Sequence, residues 1–281
     1  MKVFIETDME GVAGVLDHDT WCQPASASYS GRYYDLGREF LTLEVNAAIT
    51  GLYEAGASEI VVSDGHGAGG INPALLDSRV WLARGSSIGW PGELDATFDA
   101  IIWIGQHAKA GTPQAHLAHT QWFNYLDQSI NGLSIGELGE MALCASELGV
   151  PSILASGDEA LASEAQALIS GIFTVAVKRG TTPDDGHTLD TGQYMRHNLG
   201  AVHRQPEMAR YLIRTAAHEA LLKLKQQPKG WGLIPLQAPF ERITCYRPDK
   251  AGEPYRMDRA SHPTSVCGVM NQPFHPEPYQ S

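Results

Sequence analysis

The chain has 281 residues, 43% of them hydrophobic and 19% charged, with a formal net charge of −12. That length buries roughly 75% of the unfolded surface, enough for one large domain or two modest ones. No run of Lys or Arg gives it the footprint of a nucleic-acid or anionic-membrane surface, and no apolar stretch reaches the roughly 18 residues of a membrane span.

In chain order, Val3, Phe4, Ile5 and Thr7 read as a strand ended by Gly11, with Asp8 and Glu10 at its close. Glu6, Asp8 and Glu10 also break any apolar signal-peptide core. A loop rich in Tyr, Ser and Asp (16–35) leads to an amphipathic helix carrying Leu36, Phe40, Leu43, Ala47 and Leu52 and stopped by Gly56. SEIVVSD (58–64) and RVWLARG (79–85) read as strands, and DAIIWIGQH (99–107) as a buried one. WFNYLDQSINGLSIG predicts a hairpin turning at Asn131-Gly132. A helix from Glu137 to Leu148, the strand PSILASG, a helix from Glu159 to Ile169 and the strand FTVAVK (173–178) follow.

This alternation predicts an α/β fold, a mainly parallel central sheet flanked by helices, with a smaller irregular C-terminal region. The expected division is a metal-site domain over 1–178, then a region over 179–281 packed on it. Within the latter, 179–195 reads as an exposed polar loop, 206–226 as a helix, and the Pro-rich 228–281 as an irregular end with a few strands. Cys22, Cys144, Cys245 and Cys267 form no CxxC pair, so they read as reduced thiols in a cytoplasmic protein.

The chemistry-bearing residues fall at strand ends. Asp8 and Glu10 share one face by the period of two, and such a like-charged pair makes sense with water or a cation between them. His66 follows the second strand, His107 ends the buried strand, and Glu137 starts a helix after the hairpin. Ligands bind outside the carboxyl ends of strands in open parallel sheets, so these residues are expected on one rim. Two His with three carboxylates suit Zn²⁺, Mn²⁺ or Co²⁺, and exceed what one tetrahedral zinc takes; with a bridging carboxylate they would serve two ions and lower the pKa of bound water to roughly 7.

Other readings are weaker. Glu137 also fits an ordinary first-turn helix carboxylate. His116 and His119 form an HxxH pair that either assists proton transfer or is plain polarity. ARGSSIG is no nucleophile elbow, DGHGAGG has no Walker lysine, and Cys144 reads as packing. Asp184, Asp185, His187 and Asp190 make an acidic loop that reads as solvated.

TDMEG, VVSDGH, WIGQHAKAGTP followed by AHT, INGLSIGELG, ILASGD and AVK occur in this order over residues 1–178, and together they resemble the DppA-type D-aminopeptidase family of zinc peptidases. The resemblance implies a dinuclear zinc site, with Asp8 bridging and Glu10, His66, His107 and Glu137 completing the ligands. It places the catalytic histidine on His119, with His116 as the competitor because the segment is one residue longer than usual. It implies hydrolysis of short D-amino-acid-containing peptides by a homo-oligomer, a decamer of stacked rings. On the same scaffold a non-peptide amidase is the variant reading. A non-catalytic metal-binding protein and a phosphoesterase are alternatives from other classes, the latter disfavoured because Lys109 is the one cation near the proposed ligands. The last fifty residues look too short for the family's C-terminal strands and helix.

Overall fold

The structure, a computed structural model, describes residues 1–85 and 89–279. Its strands and helices run β1 (Lys2–Thr7), α1 (Tyr34–Glu54), β2 (Glu59–Ser63), β3 (Trp81–Ala83), β4 (Ala100–Gln106), β5 (Tyr125–Ile130), β6 (Leu133–Ser134) and α2 (Glu137–Glu147). They continue with β7 (Ser152–Asp158), α3 (Glu159–Leu168), β8 (Phe173–Gly180), α4 (Thr191–Tyr194), β9 (Ala201–His203), α5 (Pro206–Gln226), β10 (Phe240–Tyr246), β11 (Arg256–His262), α6 (Val266–Met270) and β12 (Glu277–Pro278).

One sheet has seven strands in the order β3-β2-β1-β4-β7-β8-β9, parallel except for the antiparallel edge strand β9. Its order reverses between β1 and β4, the crevice where ligands settle in open α/β sheets. Strand alternation builds two apolar layers: Val3 and Ile5 pack with α1 and α5, whereas Phe4 and Trp103 pack with α2, α3 and α6. β4 is buried throughout, as befits a central strand covered on both faces.

The hairpin β5–β6 turns at Asn131 (φ 51°) and Gly132 (φ 79°), the positive-φ pair of a type I′ turn. It pairs with β10 in a second sheet of order β12-β11-β10-β5-β6, antiparallel throughout. Residues 125–134 and the C-terminal strands therefore share one sheet.

Three expectations are corrected here. The C-terminal residues hold the few strands expected but are not irregular: β10 and β11 each run for seven residues and α6 follows. Their signal was hidden because the buried face of β10 includes Arg242 and Thr244, which break the apolar alternation. Segment 179–195 is not wholly an exposed loop. It holds α4, whose Tyr194 is buried beneath the Arg247 guanidinium at 3.6 Å and accepts a hydrogen bond from the Gly111 N–H at 2.8 Å. The loop 16–35 contains a π-helical turn, His18–Cys22. The ARGSSIG stretch reaches residues 86–88, which lie outside the described residues. No helix among the described residues is long and apolar enough to cross a membrane.

Candidate metal centre

Beyond β1 the backbone stays against β4: the Asp8 N–H donates to the Ile104 carbonyl at 3.0 Å and the Gly11 N–H to Gly105 at 2.7 Å. Gly11 is required at this approach, since a Cβ there would lie 2.0 Å from the Gln106 carbonyl oxygen. The crossing sets Asp8 beside His107, on either side of the reversal in strand order.

All five strand-end and helix-start residues meet. One oxygen of Asp8, Oδ1, lies 3.0 Å from His66 Nδ1, and the other, Oδ2, lies 3.1 Å from His107 Nε2. Glu10 Oε2 is 3.1 Å from His66 Nδ1, and Glu137 Oε1 is 3.5 Å from His107 Nε2. The donor atoms fall into two groups able to hold an ion, one of Asp8, Glu10 and His66 and one of His107, His119 and Glu137.

The ring orientations are fixed from behind. His107 donates its Nδ1–H to the Ala108 carbonyl at 3.0 Å, and His66 uses Nε2 on the Cys22 carbonyl at 2.6 Å, so the opposite nitrogen of each faces the carboxylates. Such partners select the tautomer and direction of a metal-ligating imidazole. Gly136 precedes α2 and places Glu137 in its first turn, where the Gln121 N–H donates to Glu137 Oε1 at 2.7 Å.

Asp8 Oδ2 and His107 Nε2 are buried and face each other at 3.1 Å, and buried Glu10 Oε2 faces His66 Nδ1 at 3.1 Å, none of them with a further partner. Buried polar atoms are otherwise almost always paired. Burial alone would raise Asp8, but hydrogen bonds from His107 and His66 hold its carboxyl well below the usual range. His66 and His107 are pushed up against the effect of burial, by Glu10 and Glu137 respectively and by Asp8. The cluster thus demands positive charge, and this mixed N/O donor set fits zinc.

The two downstream histidines separate. His119 lines the cavity, its ring between His107 (centroids 3.9 Å) and Phe123 (4.4 Å). Its Nδ1–H donates to the Leu117 carbonyl at 2.8 Å, which leaves Nε2 facing Glu137 Oε1 at 3.9 Å. His116 does not line that cavity: its Nε2 lies 3.1 Å from the Leu16 carbonyl, and burial pushes it down to about 2.

The acidic loop makes turns and a cap. Asp190 caps α4, Asp184 lies 2.8 Å from His197, and Asp185 accepts from the His187 N–H.

Three neighbours were not anticipated. Buried His18 stands 3.9 Å from Glu10, amid Tyr29, Trp122 and Phe123, and burial pushes it down to about 4. It comes from an aperiodic loop that gave no signal. Lys178, at the end of β8, is buried with its ammonium on the Glu10 carbonyl, and burial lowers it to about 8. A lone charge ending FTVAVK was its signal. Glu6, pushed up to about 8 by burial, shares the face of Phe4. Its signal was a carboxylate on an apolar face.

Comparisons with known proteins point to one family. A family model described as D-aminopeptidase matches residues 1–253. A D-aminopeptidase of Bacillus subtilis (strain 168) is 32% identical over 182 residues, covering 64% of this chain and 64% of that protein's own length. The solved Zn-dependent D-aminopeptidase DppA from the same species, described as a self-compartmentalizing protease, superposes with a TM-score of 0.72 at 26% identity, over 88% of this chain and 81% of that one.

Proposed function

The chain belongs to the D-aminopeptidase family, and on that premise we propose that it is a dinuclear zinc aminopeptidase that hydrolyses the N-terminal amide bond of short peptides containing D-amino acids. The observation that carries this reading is the Asp8 carboxylate, whose two oxygens face two different histidines at 3.0 and 3.1 Å. Asp8, Glu10 and His66 would hold one ion, and Asp8, His107 and Glu137 the other, with Asp8 as the bridge. When bound, the pair would polarise the scissile carbonyl and make water acidic at neutral pH.

The protein's own residues account for the rest. His119 is kept neutral by burial and by neighbouring His107, and its Nδ1–H is already engaged, so Nε2 is the acceptor facing the site. It takes a proton as water oxygen bonds to the carbonyl carbon, and returns it to nitrogen as the C–N bond breaks. Lys178 fixes the backbone of Glu10, and Gln121 fixes Glu137.

The solved relative is self-compartmentalizing, and we extend to this chain a homo-oligomer, with the ring-stacked decamer as its form. Exposed Trp81 on the edge strand β3 and Tyr211 on α5 supply apolar surface for it. The cytoplasm is the compartment we assign, supported by four cysteines of which none is bonded to another.

Elemental analysis of the purified protein, followed by assays with D- and L-alanyl amides, tests the reading. Two zinc ions per chain and faster cleavage of the D-substrate are expected. Less than one metal per chain, with no amide cleaved, would overturn it.

A further inference from the structure

The cavity does not end at the metal-type clusters. It has a volume of about 440 Å³ and continues along the sheet face. Register pairs Glu6 with Ser63 on one side and with Trp103 on the other. Neighbours in register point to the same face, so the three side chains form a row across β2, β1 and β4. Asp8 follows Glu6 by two residues, which sets the row roughly 6–7 Å down the strand direction from the bridging carboxylate.

All three residues line the cavity. Glu6 Oε2 and Trp103 Nε1 are shielded from solvent and have no hydrogen-bond partner, and Trp103 is 1% exposed. Gly65 makes the room for the carboxylate: a Cβ there would come 1.9 Å from Glu6 Oε1 and 2.8 Å from the Thr7 carbonyl oxygen. Glu93 and Trp90 also line the cavity. Among the described residues lining the cavity, Arg84 is the one Lys or Arg, and its Nε is already 2.9 Å from Asp64 Oδ2.

A carboxyl oxygen shielded from water and left without a partner is costly, and the face it occupies otherwise packs Phe4 and Ile101. A purely structural residue at this position would be apolar. The carboxylate makes sense when a cation arrives with the ligand.

We propose that the row Ser63, Glu6 and Trp103 floors a specificity pocket for an ammonium-bearing side chain, lysine- or ornithine-like, on the substrate residue whose amide is cut, with Glu6 as the recognising carboxylate. This rests on reading the adjoining clusters as the hydrolytic site. The methylene stem of the side chain would lie along Met141 and the indoles of Trp90 and Trp103. An indole also attracts a cation placed over its face. The ammonium would donate to Glu6 Oε2 and complete the pairing that the protein leaves open.

The test uses products that the enzyme does not turn over. Calorimetric titration of the zinc-loaded protein with D-lysine, D-norleucine and D-glutamine compares an ammonium, a methyl terminus and a carboxamide on similar stems. D-lysine is expected to bind at least about tenfold more tightly than D-norleucine, and Glu6→Gln to erase most of that preference. The same preference should appear in the KM of the corresponding aminoacyl amides rather than in kcat. Equal binding of lysine and norleucine by the wild type would overturn the proposal whether or not the variant folds. Tighter binding of glutamine would overturn it in favour of a carboxamide shared between Glu6 and the Trp103 N–H. Cleavage of D-alaninamide without a lysine preference would sink the pocket and leave the hydrolytic reading standing. A lysine preference in a protein that cleaves no amide would do the reverse.

Discussion

His116 and His119 sit on one short segment and meet different surroundings. The His119 ring lies between His107 and Phe123 with Nε2 toward the site, whereas the His116 ring is directed to the Leu16 carbonyl. General acid–base assistance contributes about 10²–10⁴-fold, so His119→Gln is expected to lower kcat by at least about 10²-fold while metal content measured by elemental analysis stays at the wild-type level. His116→Gln should change the melting temperature more than kcat. A metal content that falls with His119→Gln would make that residue a ligand instead. At this scale the proposed ligands were legible as neighbours because a polar residue ending an apolar strand has one place to go, the carboxyl rim of the sheet. Asp8, His66 and His107 all obey that rule. His18 and Lys178 were not legible as site residues, because what puts them beside Glu10 is the packing of segments far apart in the chain.

At the scale of elements, the parallel strands could be read from their apolar runs, whereas of the antiparallel sheet the β5–β6 hairpin was legible from Asn131-Gly132 and β10 and β11 could not be placed. The reason is Arg242, which is wholly buried in β10 and donates from Nη1 to the carbonyls of Val269, Met270 and Gln272, each at 3.2 Å, while Nη2 lies 2.9 Å from Asp258 Oδ2. It ties the end of α6 to the sheet through charge-assisted bonds, and a pattern search for alternating apolar residues passes over such a strand. The edge strand β9, only three residues long, was missed because so short a run carries no period. Removing one partner of a buried pair strands the other charge, so Arg242→Ala is expected to cost about 3–5 kcal/mol in urea denaturation. Arg259 and Glu241 form a pair of the same length, 2.9 Å, on the neighbouring strands, but they are exposed. Arg259→Ala should therefore cost under about 1 kcal/mol. Equal costs would show that the buried network contributes nothing beyond a surface pair.

For the whole molecule, the pH dependence of stability has an identifiable contributor away from the candidate metal centre. Glu44 of α1 is buried beneath the loop that follows β1; its Oε1 accepts from the Ala13 N–H at 3.0 Å and its Oε2 has no partner. Burial pushes its carboxyl up to about 7, against the lowering influence of the Ala13 hydrogen bond, of Lys178 on β8 and of Arg210 on α5. The sign follows from proton linkage. The folded state holds this proton more tightly than the unfolded chain does, so the Glu44 contribution is fully present below pH 4.5 and is lost as pH rises to about 7. A shift of this size corresponds to roughly 3 kcal/mol, an upper value if the interior relaxes around the charge. Glu44→Gln keeps the oxygen that accepts from Ala13 and cannot ionise. It should match the wild type near pH 4.5 and exceed it increasingly up to pH 8, when urea unfolding of the two proteins is compared at each pH. Taking the difference between them cancels the titration of the groups that do not interact with Glu44, and leaves that of Glu44 and the Lys178 coupled to it. A difference that stays flat across that range would show that Glu44 is ionised in the fold and paired with Lys178 or Arg210 in solution.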